Sequence, residues 1–313
     1  MNIFRIAQKF TPICGRHCYC PNFNASKPEV LKITLLIHCP DQSGIISNVT
    51  GFIHSRGGNI VYLDQHVDMQ AGVFFMRLES DFDDKGFSLT GFRNDFKNLI
   101  AAPYAMQWNM YPGGQKPRMA IFVSRYNHCL YDLLSRYHSG ELEVEIPFIL
   151  SNHDDLRGIS EQFNLPFYHV ALNGPDKEAA EEQQLSLLEA HQVDFIVLAR
   201  YMQIITPRLI SVYPNKIINI HHSFLPAFAG AKPYHAAFER GVKIIGATSH
   251  YVTEELDAGP IIAQDVTTVS HSHTVKDFIA KGRDLEKIVL SRAVQLHVRR
   301  KTMVYNNKTV IFA

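Results

Sequence analysis

Between residues 31 and 110, hydrophobic positions alternate between a strand-like period of two and a helix-like spacing of three and four. Apolar runs predict strands at 31–37, 59–68 and 73–79, and alternation predicts a fourth near 106–110. The two helices between them are predicted to bury Ile45, Ile46, Val49, Phe52 and Ile53, and then Leu89, Phe92, Phe96 and Leu99. The resulting order, βαββαβ, is the ferredoxin-like arrangement.

From residue 119 onward, short apolar runs alternate with amphipathic stretches. Strands are predicted at 119–124, 144–150, 167–170, 194–199 and 217–220, and helices at 127–136, 155–163 and 177–191. A long amphipathic helix over 274–299 and a hairpin turning at Asn306-Asn307 complete the pattern. The alternation predicts an α/β fold with a mostly parallel, doubly wound sheet. Ligands bind such sheets at the carboxyl ends of the strands.

Glycine and proline mark the boundary between these two regions. The stretch 111–117 has linker composition, so we expect a small domain at 31–110, a linker at 111–118 and a larger domain at 119–313. Residues 1–30 are expected to be a flexible extension. The first 28 of them carry basic residues and no acid, as transit peptides do, but little serine and no amphipathic helix, which favours a disordered tail or an upstream start.

The amino-acid composition indicates which partners and which cell compartment to expect. Its 31 basic and 30 acidic residues give a net charge of +1, so we expect neither nucleic-acid nor membrane binding. The five cysteines form no secreted disulfide pattern, which indicates a reducing cytoplasm. Cys14, Cys18 and Cys20 cluster, but they lack the paired spacing of a metal site, and no metal is predicted.

Candidate chemistry lies at the end of the predicted strand 217–220. Asn219 and His221 stand there, and Asp257 follows in a turn-forming segment. A carbonyl group attacked by water passes through an oxyanion, which an Asn219 N–H can stabilise. His221 can donate to it or shuttle a proton, and Asp257 can orient His221 or act as a base. Each residue alone can instead be structural: a turn cap, a satisfied core histidine or a turn aspartate.

The small domain resembles the ACT family of regulatory domains. The resemblance rests on segment 39–45, with its Asp-x-x-Gly turn, and on Gly57-Gly58 before the next strand. It implies side-by-side pairing into a homo-oligomer and an amino-acid effector near Asp41, Gly44 and Ile45. A plain oligomerisation module without a ligand is the alternative.

The large domain resembles the folate-dependent formyltransferases, through segments 197–203, 219–226, 229–230, 241–246 and 254–261 together. Within that family it is most similar to the deformylase branch, which also carries an ACT domain. The resemblance implies cleavage of 10-formyltetrahydrofolate to tetrahydrofolate and formate, with no metal or redox cofactor. It also implies catalysis by Asn219, His221, His222 and Asp257, and a folate pocket formed by Tyr201, Met202, Gln203, Ile205, Thr253, Glu254, Glu255 and Leu256. Gln203 stands where some relatives have arginine. Lys232 and Tyr234 either contact the ligand or are loop residues with no role in binding.

Water is the predicted acceptor of the formyl group. Transferase relatives cradle a phosphate in a glycine-rich loop after the first strand, but here 124–129 has no glycine. His222 stands where those relatives typically have proline. A transferase acting on an amine and a non-catalytic amino-acid sensor are the alternatives. Formylation of a tRNA is disfavoured, because only a short hairpin follows residue 300 and no basic face is evident.

Overall fold

The computed structural model describes residues 30–83, 85–171, 177–227 and 233–312. The predicted N-terminal extension, apart from Val30, lies outside the described residues, as do Cys14, Cys18, Cys20, segment 229–230 and Lys232. Among the described helices, none is both long enough and apolar enough to cross a bilayer.

The N-terminal domain has the predicted βαββαβ order. Its elements are β1 (Val30–Pro40), α1 (Ile45–Ser55), β2 (Asn59–Asp68), β3 (Val73–Asp83), α2 (Leu89–Asp95), which continues as a π-helical segment (Phe96–Ala101), and β4 (Gln107–Pro112). The sheet order is β2-β3-β1-β4, and all its pairs are antiparallel. The ferredoxin-like fold is therefore confirmed, with β4 running two residues into the predicted linker.

The sequence prediction was wrong about the buried faces at two positions. Ile46 is 43% exposed, because α1 buries the stripe formed by Ile45, Val49, Phe52 and Ile53. Leu99 is 58% exposed, whereas Ile100 is buried. The π-helical segment has more residues per turn than an α-helix, so it turns Leu99 outward and brings Ile100 to the core.

The C-terminal domain is built on a seven-stranded sheet. The strands are β5 (Met119–Val123), β6 (Ile149–Ser151), β7 (Phe167–His169), β8 (Phe195–Leu198), β9 (Ile217–His221), β10 (Ile244–Tyr251) and β11 (Ile261–Thr268). Their order is β11-β10-β9-β8-β5-β6-β7, parallel from β7 to β9 and antiparallel beyond. The mostly parallel sheet is confirmed. The predicted strand at 144–150 is a continuous strand only from Ile149; before it, Glu145 forms an isolated parallel bridge with Arg118.

Helices cover both faces of this sheet. They are α3 (His128–His138), α4 (Arg157–Gln162), α5 (Lys177–Ala190), α6 (Pro207–Val212), α7 (Pro233–Arg240) and α8 (Val275–Val298). One core lies under α3, α4 and α8, and another lies under α5 and α6. The sequence analysis did not identify α6, α7, β10 or β11. The long helix α8 is confirmed, with Thr274 and Asp277 forming a capping box at its start.

A C-terminal hairpin, β12 (Thr302–Tyr305) and β13 (Lys308–Ile311), lies between the two domains. Its turn is at Asn306 and Asn307 as predicted, with φ angles of 45° and 59° that asparagine tolerates. One face of the hairpin packs on the ACT-like sheet in a small apolar core. That core comprises Leu36, Val73, Phe75, Met303 and Phe312.

Arg77 on β3 adds a polar connection between the domains. Its side chain is buried beside Glu79, and its Nε donates to the Arg300 carbonyl oxygen at 2.8 Å. Its Nη2 donates to the Arg299 carbonyl oxygen at 3.0 Å. These carbonyls follow the last turn of α8, where helix carbonyls lack intrahelical partners and a cation is favoured. A side chain of the small domain therefore caps the longest helix of the large one.

Candidate active site

Asn219 is held at the end of β9 by the neighbouring antiparallel strand. In the register of β9 and β10, Asn219 lies opposite His250. The Asn219 Nδ2 is 3.3 Å from the His250 Nε2, and the His250 Nδ1 is 2.9 Å from the Tyr251 carbonyl oxygen. In the neutral tautomer that donates from Nδ1, His250 accepts one Asn219 N–H at Nε2. The second N–H of Asn219 remains available to a ligand.

Asp257 lies in the loop between β10 and β11 and contacts two imidazoles. Its Oδ2 is 3.2 Å from the His221 Nδ1, and its Oδ1 is 3.6 Å from the His250 Nε2. Hydrogen bonding from His221, and then the proximity of the His250 ring, hold the pKa of Asp257 well below its usual range. Asp257 is therefore a carboxylate at neutral pH.

The Asp257 carboxylate also sets the orientation of His221. The His221 Nδ1 donates to Asp257, which leaves Nε2 as a lone-pair nitrogen in the neutral ring. That Nε2 is buried and has no hydrogen-bond partner among the described residues. A carboxylate-oriented imidazole with an unpaired nitrogen is the arrangement of a general base.

The sequence analysis missed His250, which contacts both Asn219 and Asp257. The apolar run that begins at Ile244 could have predicted a strand ending near His250. Its antiparallel pairing with β9 could not have been predicted from a βα alternation, which favours parallel neighbours. His250 is therefore a fifth candidate beside the four predicted catalytic residues.

One cavity of about 430 Å³ joins these groups to the predicted folate pocket. The residues named from the sequence that line it are Tyr201, Met202, Gln203, Ile205, Asn219, His221, His222, Thr253, Glu254, Leu256 and Asp257. Glu255 is not part of the lining, and its carbonyl accepts a hydrogen bond from the Thr253 Oγ1 at 3.1 Å. The cavity lies at the carboxyl ends of β8 and β9, where ligands of such sheets bind.

His222 lines this cavity with a largely buried side chain. Its ring centroid is 5.1 Å from that of His221 and 6.0 Å from that of Tyr234. The Tyr234 hydroxyl donates to the Glu286 Oε1 at 2.6 Å. Tyr234 is therefore a buried support beneath His222, and it does not line the cavity.

Next to the loop after β5, the side chains of His128 and Arg200 converge on Glu286. The His128 Nε2 is 2.7 Å from the Glu286 Oε2, and the Arg200 Nε is 3.4 Å from the same oxygen. The Arg200 guanidinium also lies 4.8 Å from the ring centroid of Tyr126. This packing takes the place of the open backbone cradle that a phosphate requires.

One group of described side chains has ligand atoms close enough for a metal ion: His128, Cys129 and Glu286 lie within 4.8 Å of one another. Burial raises the pKa of Cys129 well above its usual value, so its sulfur is a thiol and a poor ligand. Arg200 already supplies a positive charge to Glu286. The group is better described as a buried charge network than as a metal site.

The Asp257 loop is constrained by close backbone contacts. A β-carbon on Gly259 would lie 1.8 Å from the Tyr251 carbonyl oxygen, and the Tyr251 N–H donates to the Pro260 carbonyl at 2.9 Å. Asp257 itself has a φ of 55°, which is uncommon for a residue other than glycine. The position of its carboxylate therefore depends on the whole loop.

The predicted regulatory residues lie together in the small domain. Asp41, Gly44 and Ile45 line a cavity of about 490 Å³ between the β1–α1 loop and β2. Gly44 precedes α1 with a φ of 90°, a backbone conformation that favours glycine. Gln65, Val67 and Phe74 line the same cavity from β2 and β3.

Comparison with known proteins matches both domains. The ACT domain model matches residues 33–86, and the formyl transferase model matches residues 117–294. The formyltetrahydrofolate deformylase of Synechocystis sp. is 50% identical over 90% of this chain and 99% of its own length. That of Bacillus subtilis is 45% identical over 89% and 93%, respectively. A crystal structure of a formyltetrahydrofolate deformylase from Pseudomonas syringae has a TM-score of 0.87 at 48% identity, covering 90% of this chain and 95% of that one. The chain belongs to the formyltetrahydrofolate deformylase family.

Proposed function

We propose that this protein hydrolyses 10-formyltetrahydrofolate to tetrahydrofolate and formate, which supplies formate for purine synthesis and balances one-carbon pools. The observation that supports it best is the buried, unpaired Nε2 of His221, oriented by Asp257 in the same cavity as Asn219. Membership of the deformylase family points to the same reaction.

The geometry suggests a division of labour. His221 accepts a proton at Nε2 from the attacking water, whose oxygen bonds to the formyl carbon. Asn219 donates its second N–H to the oxyanion that forms. Asp257 stabilises the positive charge on His221. The C–N bond then breaks, and His221 returns the proton to the departing folate nitrogen. Folate contacts are proposed for the cavity residues between Tyr201 and Ile205 and for loop 253–256.

Water is proposed as the acceptor because the loop after β5 carries side chains where a backbone phosphate cradle would need glycine. Tyr126 and His128 lie there, next to Arg200 and Glu286. His222 is proposed to help hold the attacking water from its buried position next to His221.

The direct test is formate release from 10-formyltetrahydrofolate by the purified protein with no amine present. We expect multiple turnovers, with formate and tetrahydrofolate in equal amounts. Binding without release would contradict hydrolysis and favour the amine transferase. A screen of amines, including sugar nucleotides, would then identify the acceptor.

We expect Gly259→Ala to lower both stability and turnover. The new β-carbon overlaps the Tyr251 carbonyl, so the loop must shift and carry Asp257 with it. Overpacking of this kind costs about 1–3 kcal/mol. Denaturant unfolding and formate release measure the two effects. Gly158→Ala on α4, where a β-carbon meets nothing within 4 Å, is the control; equal effects in both variants would contradict the prediction.

For the N-terminal domain we propose assembly into a homo-oligomer and binding of an amino-acid effector at Asp41, Gly44 and Ile45, which share one cavity. The proposed division is regulatory at 31–110 and catalytic at 119–313. A cytoplasmic location is proposed from the cysteine pattern. The proposed hydrolysis needs only water and the side chains described above.

A further inference from the structure

We propose that the C-terminal hairpin, residues 302–311, positions the Asp257 loop for catalysis and connects it to the ACT sheet. Asn307, at the tip of the hairpin, is the positioning residue. This inference rests on the proposed function, because the effect on turnover requires that Asp257 take part in the reaction.

The tip and the base of the hairpin each contact the segment around Asp257. The Asn307 Nδ2 donates to the Ala258 carbonyl oxygen at 2.9 Å. At the base, the Thr302 Oγ1 is 2.8 Å from the Tyr251 hydroxyl. The backbone N–H of Tyr251 in turn donates to the Pro260 carbonyl oxygen. The hairpin is therefore fastened to both sides of the loop that carries Asp257.

The loop needs such external contacts because its backbone is strained. A non-glycine residue at a φ of 55°, as in Asp257, persists when the surrounding structure holds it. Gly259 and Pro260 are held against Tyr251 on the sheet side. The hydrogen bond from Asn307 holds the Ala258–Gly259 peptide, one residue beyond Asp257, from the hairpin side. Without it, the carboxylate can move away from the His221 Nδ1.

The opposite face of the hairpin packs on the ACT sheet. The ring centroids of Phe75 on β3 and Tyr305 on β12 are 5.3 Å apart, and Met303 and Phe312 complete the apolar core with Leu36. The hairpin therefore has an apolar face on one domain and a polar tip at the active site of the other. A displacement of β3 reaches the Asp257 loop through one short element.

The test compares Asn307→Gly with Asn306→Gly. Both residues have positive φ, so glycine relieves the backbone similarly, but only Asn307 makes the hydrogen bond to Ala258. We expect Asn307→Gly to lower kcat about tenfold, the change that loss of one typical hydrogen bond gives, with KM within about twofold. Amide hydrogen exchange in segment 257–259 should become faster in Asn307→Gly alone. Equal kcat and equal exchange in the two variants would overturn the inference.

The link to the ACT sheet is tested by a double-mutant cycle. Phe75→Leu, which loosens the hairpin core, should lower kcat by about 2–10-fold in the wild type and by less in the Asn307→Gly background. Phe82→Leu alters the opposite face of the same sheet and should leave kcat unchanged. Additive effects of Phe75→Leu and Asn307→Gly would overturn the coupling.

Failure of the proposed function would look different. If the wild type released no formate, the hydrolase assignment would fall, while faster exchange in Asn307→Gly alone would still support the positioning contact. If the wild type turned over and the two glycine variants were alike, the hydrolase would stand and the role of the hairpin would fall.

Discussion

Asp257→Asn is expected to lower turnover by about 10²-fold or more while folate binding is retained, as loss of acid–base assistance usually does. The neutral amide of asparagine cannot stabilise the positive charge of a protonated His221. Its NH₂ group can also face the His221 Nδ1, which contacts a carboxylate oxygen in the wild type. Since the pKa of Asp257 lies well below its usual range, the loss is expected across the neutral pH range. Formate release gives kcat, and folate titration gives the affinity.

A suitable control is Asp265→Asn, which removes a carboxylate paired with Arg292 outside the cavity. We expect that variant to keep wild-type turnover. Near wild-type turnover in Asp257→Asn would remove Asp257 from the mechanism. Loss of folate affinity in proportion to kcat would instead make it a binding residue.

His221→Asn is expected to lower turnover by about 10²–10³-fold, the range seen when an oxyanion or proton-transfer group is removed. The asparagine amide can still donate to Asp257 from near the Nδ1 position, so the loop keeps its partner. What the variant lacks is Nε2, the unpaired nitrogen in the cavity. Steady-state kinetics and thermal unfolding, measured together, separate a chemical loss from a folding defect.

The matched variant is His221→Gln, whose longer amide reaches the Nε2 position. If His221 moves a proton, both variants are equally slow, because an amide does not titrate. If His221 serves only as a hydrogen-bond donor, glutamine retains more activity than asparagine. Wild-type rates in either variant would refute a chemical role for His221.

The sequence was sufficient to predict the two folds and the place of Asn219 and His221, because both follow from local periodicity and from where parallel strands end. Asp257 was identified through its motif, and the structure places it beside His221. These three residues could be identified from the sequence because each lies at the end of a strand or within a distinctive turn. The Asp257 and His221 variants described above test their catalytic roles.

The residues that the sequence did not reveal depend on contacts across elements. His250 reaches Asn219 only through the antiparallel pairing of β10 with β9. Glu286 connects α8 to Tyr234 and His128, although a buried glutamate on the apolar face of a predicted helix was a visible irregularity. The exposure of Leu99 follows from a change of helical pitch that hydrophobic spacing does not show.

The contacts of Arg77 bear on whether the two domains can be separated. Its guanidinium donates to the two backbone carbonyls that directly follow α8. Val73 and Phe75, on the same strand as Arg77, share an apolar core with the hairpin. A catalytic fragment cut at the linker would expose that apolar core to water and leave those carbonyls without their partner. The linker separates two folds along the sequence, but not two units of cooperative folding. Domain grafting would have to transfer the hairpin together with the sheet that supports it.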